Sequence, residues 1–372
     1  MDFEPTAEAT EAADLTATIL KDHCTPDRLR AVDAEEGRFD RKLWSALGEA
    51  GLLALTVPEE HDGSGLGLIE LCSVLVEVGR TVAPVPLGSH AVTALALARF
   101  GNVAQQARWL PGAASGESIL TTALSEDRMH APFDPVTRAE NDGGSWLLTG
   151  SKAVVPAGML ADLFVVPAGT SEGLTVFLVH ADDAGVSVVP QKLSDGDVAA
   201  RLELDRASVP TDRVLGNIGA GAEVSEWLTE WLTVAVCAQQ VGTVDGALSL
   251  TAEYAKSREQ FGRPIATFQA VSQRLADGYI DVLGARLTMW QAAWKLSQGL
   301  PATSNVAVAK MWAADAGHRV AHTTVHVHGG VGIDLDGEAH RYFTAAKRHE
   351  FTLGGTTEQA RTLGRLLAHE PA

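Results

Sequence analysis

The chain has 372 residues and carries 29 Lys plus Arg against 47 Asp plus Glu, a formal charge of −18. That acidity argues against nucleic acid or an anionic membrane as the main partner, because both repel a negative surface. With 46% hydrophobic and 20% charged residues, the chain has material for a sizeable core and lacks the composition of a disordered one.

The N-terminal stretch MDFEPTAEATEAADL is acidic and has no apolar core segment, so no signal peptide is expected. No apolar run reaches the roughly 18 residues that a membrane span needs. Cys24, Cys72 and Cys237 are widely separated and no CxxC occurs, so they read as buried, reduced thiols of a cytoplasmic protein. Apolar spacing predicts helices in the first part of the chain. FDRKLWSALGEAGLLAL places Phe39, Leu43, Leu47 and Leu52 near one face, and LIELCSVLVEVGR and HAVTALALARF give two more helices. Pro84, Pro86 and Pro111 punctuate them, and a Gly-rich loop, PEEHDGSGLG, lies between.

From Glu117 to Leu215 the texture changes to short apolar runs such as ILTTALS, DLFVVPA, LTVFLVH and ARLELDR, separated by Gly, Asp and Pro. That pattern predicts an antiparallel β-domain. After NIGAGAE long amphipathic segments return, near 223–256, 268–296 and 303–328, with a short helix after HGGVG and a last one over TEQARTLGRLLAH. Long helices with short connections imply an antiparallel bundle. The fold class expected is multi-domain α+β, with an N-terminal helical domain (1–115), a middle antiparallel β-domain (116–220) and a C-terminal four-helix bundle (221–372). Trp290, Trp294 and Trp312 are expected in the bundle core.

Three features invite a chemical reading. SREQFGRP, residues 257–264, puts Arg258 and Arg263 where a long helix must stop. A guanidinium there can hold a phosphate, or it can simply offset the helix dipole. His318, His322 and His326 share a helical face, with His328 following, but no HExxH glutamate accompanies them, so a face packed against polar groups or a ligand is favoured over a metal. Gly329 and Gly330 in HGGVG permit close backbone approach to a ligand. No GxSxG elbow and no P-loop occurs, and GSGLG at 63–67 lacks a dinucleotide-binding context.

Taken in order, these segments resemble the acyl-CoA dehydrogenase family over nearly the whole chain. VPEEHDGSGLGLIE resembles the family's VPEExGGxGLG loop, and TGSKAVVPAG its NGxKxWITNG strand. SREQFGRPIATFQAVSQRLAD is similar to SRxQFGxPIxxFQxxQxxLAD, HVHGGVG to QxxGGxG, and FTLGGTTEQARTLGRLL to the closing YEGTxxIQRxxIAR segment. The resemblance implies a helical, a β and a C-terminal helical domain. It also implies FAD as cofactor, and removal of an α-proton from an acyl-CoA by a glutamate with hydride passing to the flavin.

This sequence departs from the family at the positions that do that chemistry. The two places where the family keeps its glutamate are Gly354 and Leu232 here, and neither can take a proton. Glu230 lies about 200° around the helix from Leu232, and Glu358 would need a changed loop. The loop TEPxAGSD reads SEDRMHAPFD, where Ser125, Glu126 and Asp134 correspond; the Trp and Thr beside the flavin are Val154 and Pro156, and an arginine near the CoA mouth is Thr233. Trp227 and Trp231 are expected to fill the mouth of the lost pocket.

What the resemblance leaves in place is the set that reaches a neighbouring subunit's FAD: Arg258, Gln260, Phe261, Gly329 and Gly330, with His326 in place of the glutamine. The pattern resembles two-component, α2β2 acyl-CoA dehydrogenases of actinobacterial steroid catabolism. A catalytic paralogue as partner, an acyl-CoA substrate and an electron-transfer flavoprotein follow from that resemblance. Two alternatives stand beside it: a self-sufficient dehydrogenase using Glu230 or Glu358, and a non-enzymatic acyl-CoA-binding or scaffold protein.

Overall fold

The structure, a computed structural model, describes residues 5–35, 37–127 and 134–369. The N-terminal helices are α1 (Ala7–His23), α2 (Pro26–Asp33), α3 (Arg41–Glu49), α4 (Leu68–Arg80), α5 (Leu87–Phe100) and α6 (Val103–Ser115). Their starts are chemically marked. Thr6 accepts the Ala9 N–H, and the Asp40 carboxylate accepts from Lys42 and Leu43 N–H. Asn102 and Gln105 form a reciprocal capping box. Pro111 does not separate elements but lies inside α6, where it removes one ladder hydrogen bond.

Eight strands among the described residues form the sheet: β1 (Leu120–Thr122), β2 (Arg138–Asn141), β3 (Ser145–Pro156), β4 (Leu163–Thr170), β5 (Gly173–His180), β6 (Val186–Lys192), β7 (Val198–Pro210) and β8 (Val214–Leu215). The order is β6-β7-β3-β2-β4-β5-β8, with β1 against β4. Hairpin pairs are antiparallel as expected, but β1 and β2 each pair with β4 in parallel. The long excursion between β1 and β4 is what makes a parallel pairing reachable, and local sequence carries no sign of it. β4 is a continuous apolar run because both faces are covered, and Trp146, Phe164 and Phe177 anchor its core.

The chain then returns to helix: α7 (Gly221–Ser257), a two-stranded ribbon of β9 (Glu259–Gln260) and β10 (Arg263–Pro264), α8 (Gln269–Ser297), α9 (Thr303–His328), α10 (Ala339–Phe351) and α11 (Thr356–His369). Alanine-rich α9 is the hub, packing on α8, α10 and α11. The helical–β–helical order along the chain is as expected. Packing groups the chain differently, into one unit of residues 1–31, 68–83 and 233–372 and another of 32–67 and 84–232. Within the first unit α4 lies directly on α7: a Cβ on Gly242 would stand 1.9 Å from the Val76 carbonyl oxygen, and one on Gly79 2.0 Å from that of Gln239.

Trp312 departs from its expected core position. It is 37% exposed and lies over Gly284, while Trp290 and Trp294 are half-buried. Cys72 and Cys237 are fully buried thiols whose pKa burial pushes up, for Cys237 to about 12; Cys24 is only half-buried.

His90 is fully buried in the second unit. Its Nδ1 accepts the Leu120 N–H at 3.2 Å, so the proton sits on Nε2, which donates to the Ala113 carbonyl at 3.1 Å. Protonation would set two N–H groups against each other, and burial lowers its pKa to about 4. A depressed histidine pKa contributes stability that is present above the unfolded value of about 6.5 and is lost as pH falls toward the folded value. Urea unfolding followed between neutral pH and pH about 4 should therefore lose up to about 3 kcal/mol from this group, and the pH slope should flatten in His90→Gln.

Candidate functional site

α7 ends in Tyr254-Ala-Lys-Ser, and the chain then folds back on itself. The Arg258 N–H donates to the Tyr254 carbonyl and the Ile265 N–H returns to the Arg258 carbonyl, both at 2.8 Å. Between them Glu259–Gln260 pairs with Arg263–Pro264. The two turn residues, Phe261 (φ 54°) and Gly262 (φ 75°), both hold positive φ, which a two-residue hairpin demands. Gly262 does so freely, whereas Phe261 is strained and is 93% exposed. Arg263 is occupied, its guanidinium 4.3 Å from the Phe268 ring centre. The exposed Arg258 guanidinium makes no hydrogen bond or ion pair among the described residues.

The HGGVG turn lies beside this ribbon because of one ring contact. His328, the last residue of α9, stacks on Tyr254 with centroids 4.3 Å apart and planes 21° from parallel. Its Nδ1–H donates to the Thr324 carbonyl at 2.8 Å, which fixes the ring. Gly329 follows at φ 65°, ψ −139°, a conformation open essentially to glycine alone. A Cβ at Gly329 or Gly330 would meet nothing within 4 Å. The structure thus brings Arg258, Gln260 and Phe261 together with His326, Gly329 and Gly330, all of them exposed. Sequence reasoning leaves Tyr254 out of this set, although its place in the last turn of α7, four residues before Arg258, is a signal for it.

Neither expected base position carries a proton acceptor. Leu232 is buried in α7, and Gly354 sits at φ 93°, where a Cβ would stand 3.1 Å from Gln359 Nε2 and 3.3 Å from Glu358 Cβ. Glu358 is engaged elsewhere. Its Oε2 accepts the Gly355 N–H at 3.1 Å at the start of α11, where the helix dipole favours a carboxylate. Gln359 Nε2 donates to the Leu353 carbonyl at 2.8 Å, and Thr356 Oγ1 donates to Asp315 at 2.7 Å, so the turn is pinned on both sides. Glu230 is half-buried in α7 and is itself engaged. Below the turn, buried Lys310 donates to the His349 and Glu350 carbonyls at 2.7 and 3.0 Å, closing the end of α10, and burial lowers its pKa to about 8.

Beside the sheet, the buried Glu126 side chain accepts from Val136 N–H (2.6 Å), Thr137 N–H (3.1 Å), Thr137 Oγ1 (2.6 Å) and Lys152 Nζ (2.7 Å). Burial opposes its charge, but these donors together hold its pKa below the usual carboxylate range. For fully buried Lys152 desolvation outweighs the partner and lowers the pKa. Val154 stands at φ 52° in a bulge of β3, its N–H given to Gln191 Oε1 at 2.6 Å, and Pro156 has no N–H to give. Asp134 is exposed, and residues 128–133 of the SEDRMHAPFD loop lie outside the described residues. Trp227 and Trp231 stack at 4.3 Å, with Phe100 edge-on to Trp227 at 5.6 Å.

The histidine face makes side-chain contacts at its first two positions. His318 contacts Glu350 (3.3 Å) and Lys347 (3.1 Å) and lies 4.5 Å from the His322 ring, which meets Phe343 edge-on. Among the described residues no group of three or more His, Cys, Asp or Glu is placed to hold a metal ion.

Residues 6–117 match the family described as acyl-CoA dehydrogenase, N-terminal domain, and residues 219–367 that described as acyl-CoA dehydrogenase, C-terminal domain. The acyl-CoA dehydrogenase FadE27 of Mycobacterium tuberculosis is 47% identical over 100% of both chains. A chain of the ChsE4-ChsE5 complex from Mycobacterium tuberculosis superposes with a TM-score of 0.95 at 47% identity, covering 100% of each chain. A chain of a variant of the Tcur3481-Tcur3483 steroid ACAD superposes with a TM-score of 0.92 at 42% identity, covering 98% of each.

The two glycines of the turn separate backbone strain from access. Gly329→Ala should destabilise the fold by about 1–3 kcal/mol in urea titration, because its conformation excludes a side chain. Gly330→Ala should stay within about 0.5 kcal/mol of the parent.

Proposed function

Since this chain belongs to the acyl-CoA dehydrogenase family of oxidoreductases, we propose that it is the non-catalytic subunit of a heteromeric, FAD-dependent acyl-CoA dehydrogenase and completes the flavin site of a catalytic paralogue. One observation carries this reading. Both positions where the family keeps its base, Leu232 and Gly354, are incapable of proton transfer, while an exposed Arg258, unpaired among the described residues, and an exposed Phe261 project from the end of α7.

The donor set fits the nucleotide half of FAD. Arg258 offers a fork of N–H groups matched to a pyrophosphate, and in an acidic chain it concentrates positive charge where an anion needs it. Gln260 and His326 supply further hydrogen-bonding groups, Phe261 an aromatic face, and Gly329 and Gly330 a stretch of backbone that a ligand can approach. The sheet side does not fit the reactive ring: Val154 has no aromatic face, its N–H is already given to Gln191, and Pro156 has neither hydroxyl nor N–H. When bound, FAD supplies the hydride acceptor for α,β-desaturation. This chain then contributes binding and orientation, and the partner contributes the carboxylate base.

The substrate class in this reading is a CoA thioester, with a sterol side chain favoured by the steroid ACAD among the structural relatives. A paralogous partner is in keeping with the ChsE4-ChsE5 complex and the Tcur3481-Tcur3483 steroid ACAD to which the chain is similar, and the α2β2 stoichiometry rests on the resemblance of the sequence alone. An electron-transfer flavoprotein as acceptor and a cytoplasmic location complete it; no helix among the described residues is long and apolar enough to cross a membrane. A self-sufficient enzyme is disfavoured because Glu358 is committed to the Gly355 N–H.

The test is flavin content. The chain expressed alone should be colourless, and co-expressed with its paralogue it should give a yellow complex with one FAD per heterodimer. Arg258→Ala should lower FAD affinity of the complex by at least tenfold, about 1.4 kcal/mol, while leaving subunit association intact. Stoichiometric FAD with desaturation activity in the isolated chain would defeat the proposal.

A further inference from the structure

One residue holds both halves of the surface proposed to meet the partner's flavin. The Tyr254 carbonyl accepts the Arg258 N–H at 2.8 Å, so the ribbon carrying Arg258, Gln260 and Phe261 hangs from its backbone. Its ring stacks on His328, from which the Gly329–Gly330 turn departs. The outer side of that turn is open, since a Cβ at Gly329 or Gly330 would meet nothing within 4 Å. Its anchors lead back to α9. The Gly329 N–H donates to the Val325 carbonyl, and a Cβ on Gly332 would stand 2.8 Å from that oxygen and 3.0 Å from His328 Cβ. The turn therefore follows His328. The His328 ring is fixed in turn by its Nδ1–H bond to the Thr324 carbonyl and by the Tyr254 face.

The two helices are registered without these rings. Val244, Ala247 and Leu248 of α7 share a buried cluster with Val320 of α9. One turn before the stack, Thr251 and Thr324 are fully buried with their hydroxyls 3.1 Å apart, and the Thr324 hydroxyl donates to the Val320 carbonyl at 3.0 Å. Tyr254 and His328 are only half-buried, and the Tyr254 hydroxyl makes no hydrogen bond among the described residues. What the stack adds is the spacing between two surface segments. We propose that Tyr254 is a positioning residue for the partner's cofactor: its ring, through His328, holds the Gly329–Gly330 turn at the distance from Arg258 at which both engage one nucleotide. This rests on the flavin-completing role and deepens it, because Tyr254 acts through Arg258 and the turn and not by touching the ligand.

The test reads FAD affinity of the co-expressed complex by flavin absorbance. Tyr254→Leu and His328→Leu should each weaken it about three- to tenfold, the range set by loss of an aromatic pair. Combined, they should cost no more than either alone, because both remove the same stack. Tyr254→Phe should keep the parent affinity, since the ring acts and the hydroxyl does not. Subunit association and circular dichroism check the fold of each variant, and His328→Leu reads the stack from its other ring should Tyr254→Leu not fold. In the isolated chain, Tyr254→Leu should speed hydrogen exchange over residues 326–332 while leaving residues 244–251 unchanged. Parent-like affinity in both leucine variants, an additive double variant, or a loss in Tyr254→Phe equal to that in Tyr254→Leu would overturn the inference. A parent complex without flavin, or one whose FAD affinity Arg258→Ala leaves unchanged, would instead refute the proposed function.

Discussion

The helical unit depends on backbone contact between α4 and α7. Gly79, Gly242 and Gly246 each occupy a place where a Cβ would collide with a facing carbonyl, so the two helices touch main chain to main chain. That contact carries α4 away from its sequence neighbours and into a unit with the C-terminal helices. It also positions Arg80, whose guanidinium pairs with Glu77 and Asp245 and whose carbonyl accepts the Tyr342 hydroxyl at 2.9 Å. Asp245 binds Arg286 as well, so one cluster at the glycine seam registers α4, α7, α8 and α10. With α7 held there, its last turn has a fixed address, and so has the ribbon that follows.

The chemistry that the chain keeps is grouped by where it points. Arg258, Gln260, Phe261, His326, Gly329 and Gly330 face outward, tied into one surface by the stacking of Tyr254 on His328. Glu358, Gln359 and Val154 are engaged within the chain itself: Glu358 caps α11, Gln359 holds the Leu353 carbonyl, and the Val154 N–H is tied to Gln191. Under the proposed function, in which these groups serve a neighbour's cofactor, such a chain is coherent only within an assembly. The net charge of −18 sharpens this, because an anionic cofactor needs an arginine whose charge no carboxylate cancels, and Arg258 has no such partner among the described residues.

Sequence order made much of this legible. Periodicity and breaker residues located the long helices and most strands, because 3.6- and 2-residue repeats are local consequences of burying one face. The residues of SREQFG and HGGVG carried the family, and the substitutions at Leu232 and Gly354 carried the departure from it. Other features escaped for physical reasons. The parallel pairings of β1 and β2 with β4 depend on a crossover that no local signal encodes. Trp312 looks like core by spacing, yet it covers Gly284 at the surface, since a spacing identifies a stripe and not what covers it.

By itself, then, the sequence determined the element types, the family likeness and the Leu and Gly at positions 232 and 354, all of which depend on residue identity and local period. Only the tertiary structure decided that α4 joins the C-terminal helices, that Glu358 is held by a backbone N–H, and that Arg263 lies against a ring while Arg258 is left open. The first is a relation between residues distant in the chain; the others set a side chain against a neighbouring turn, a nearby ring or open space, and residue identity and period encode none of them.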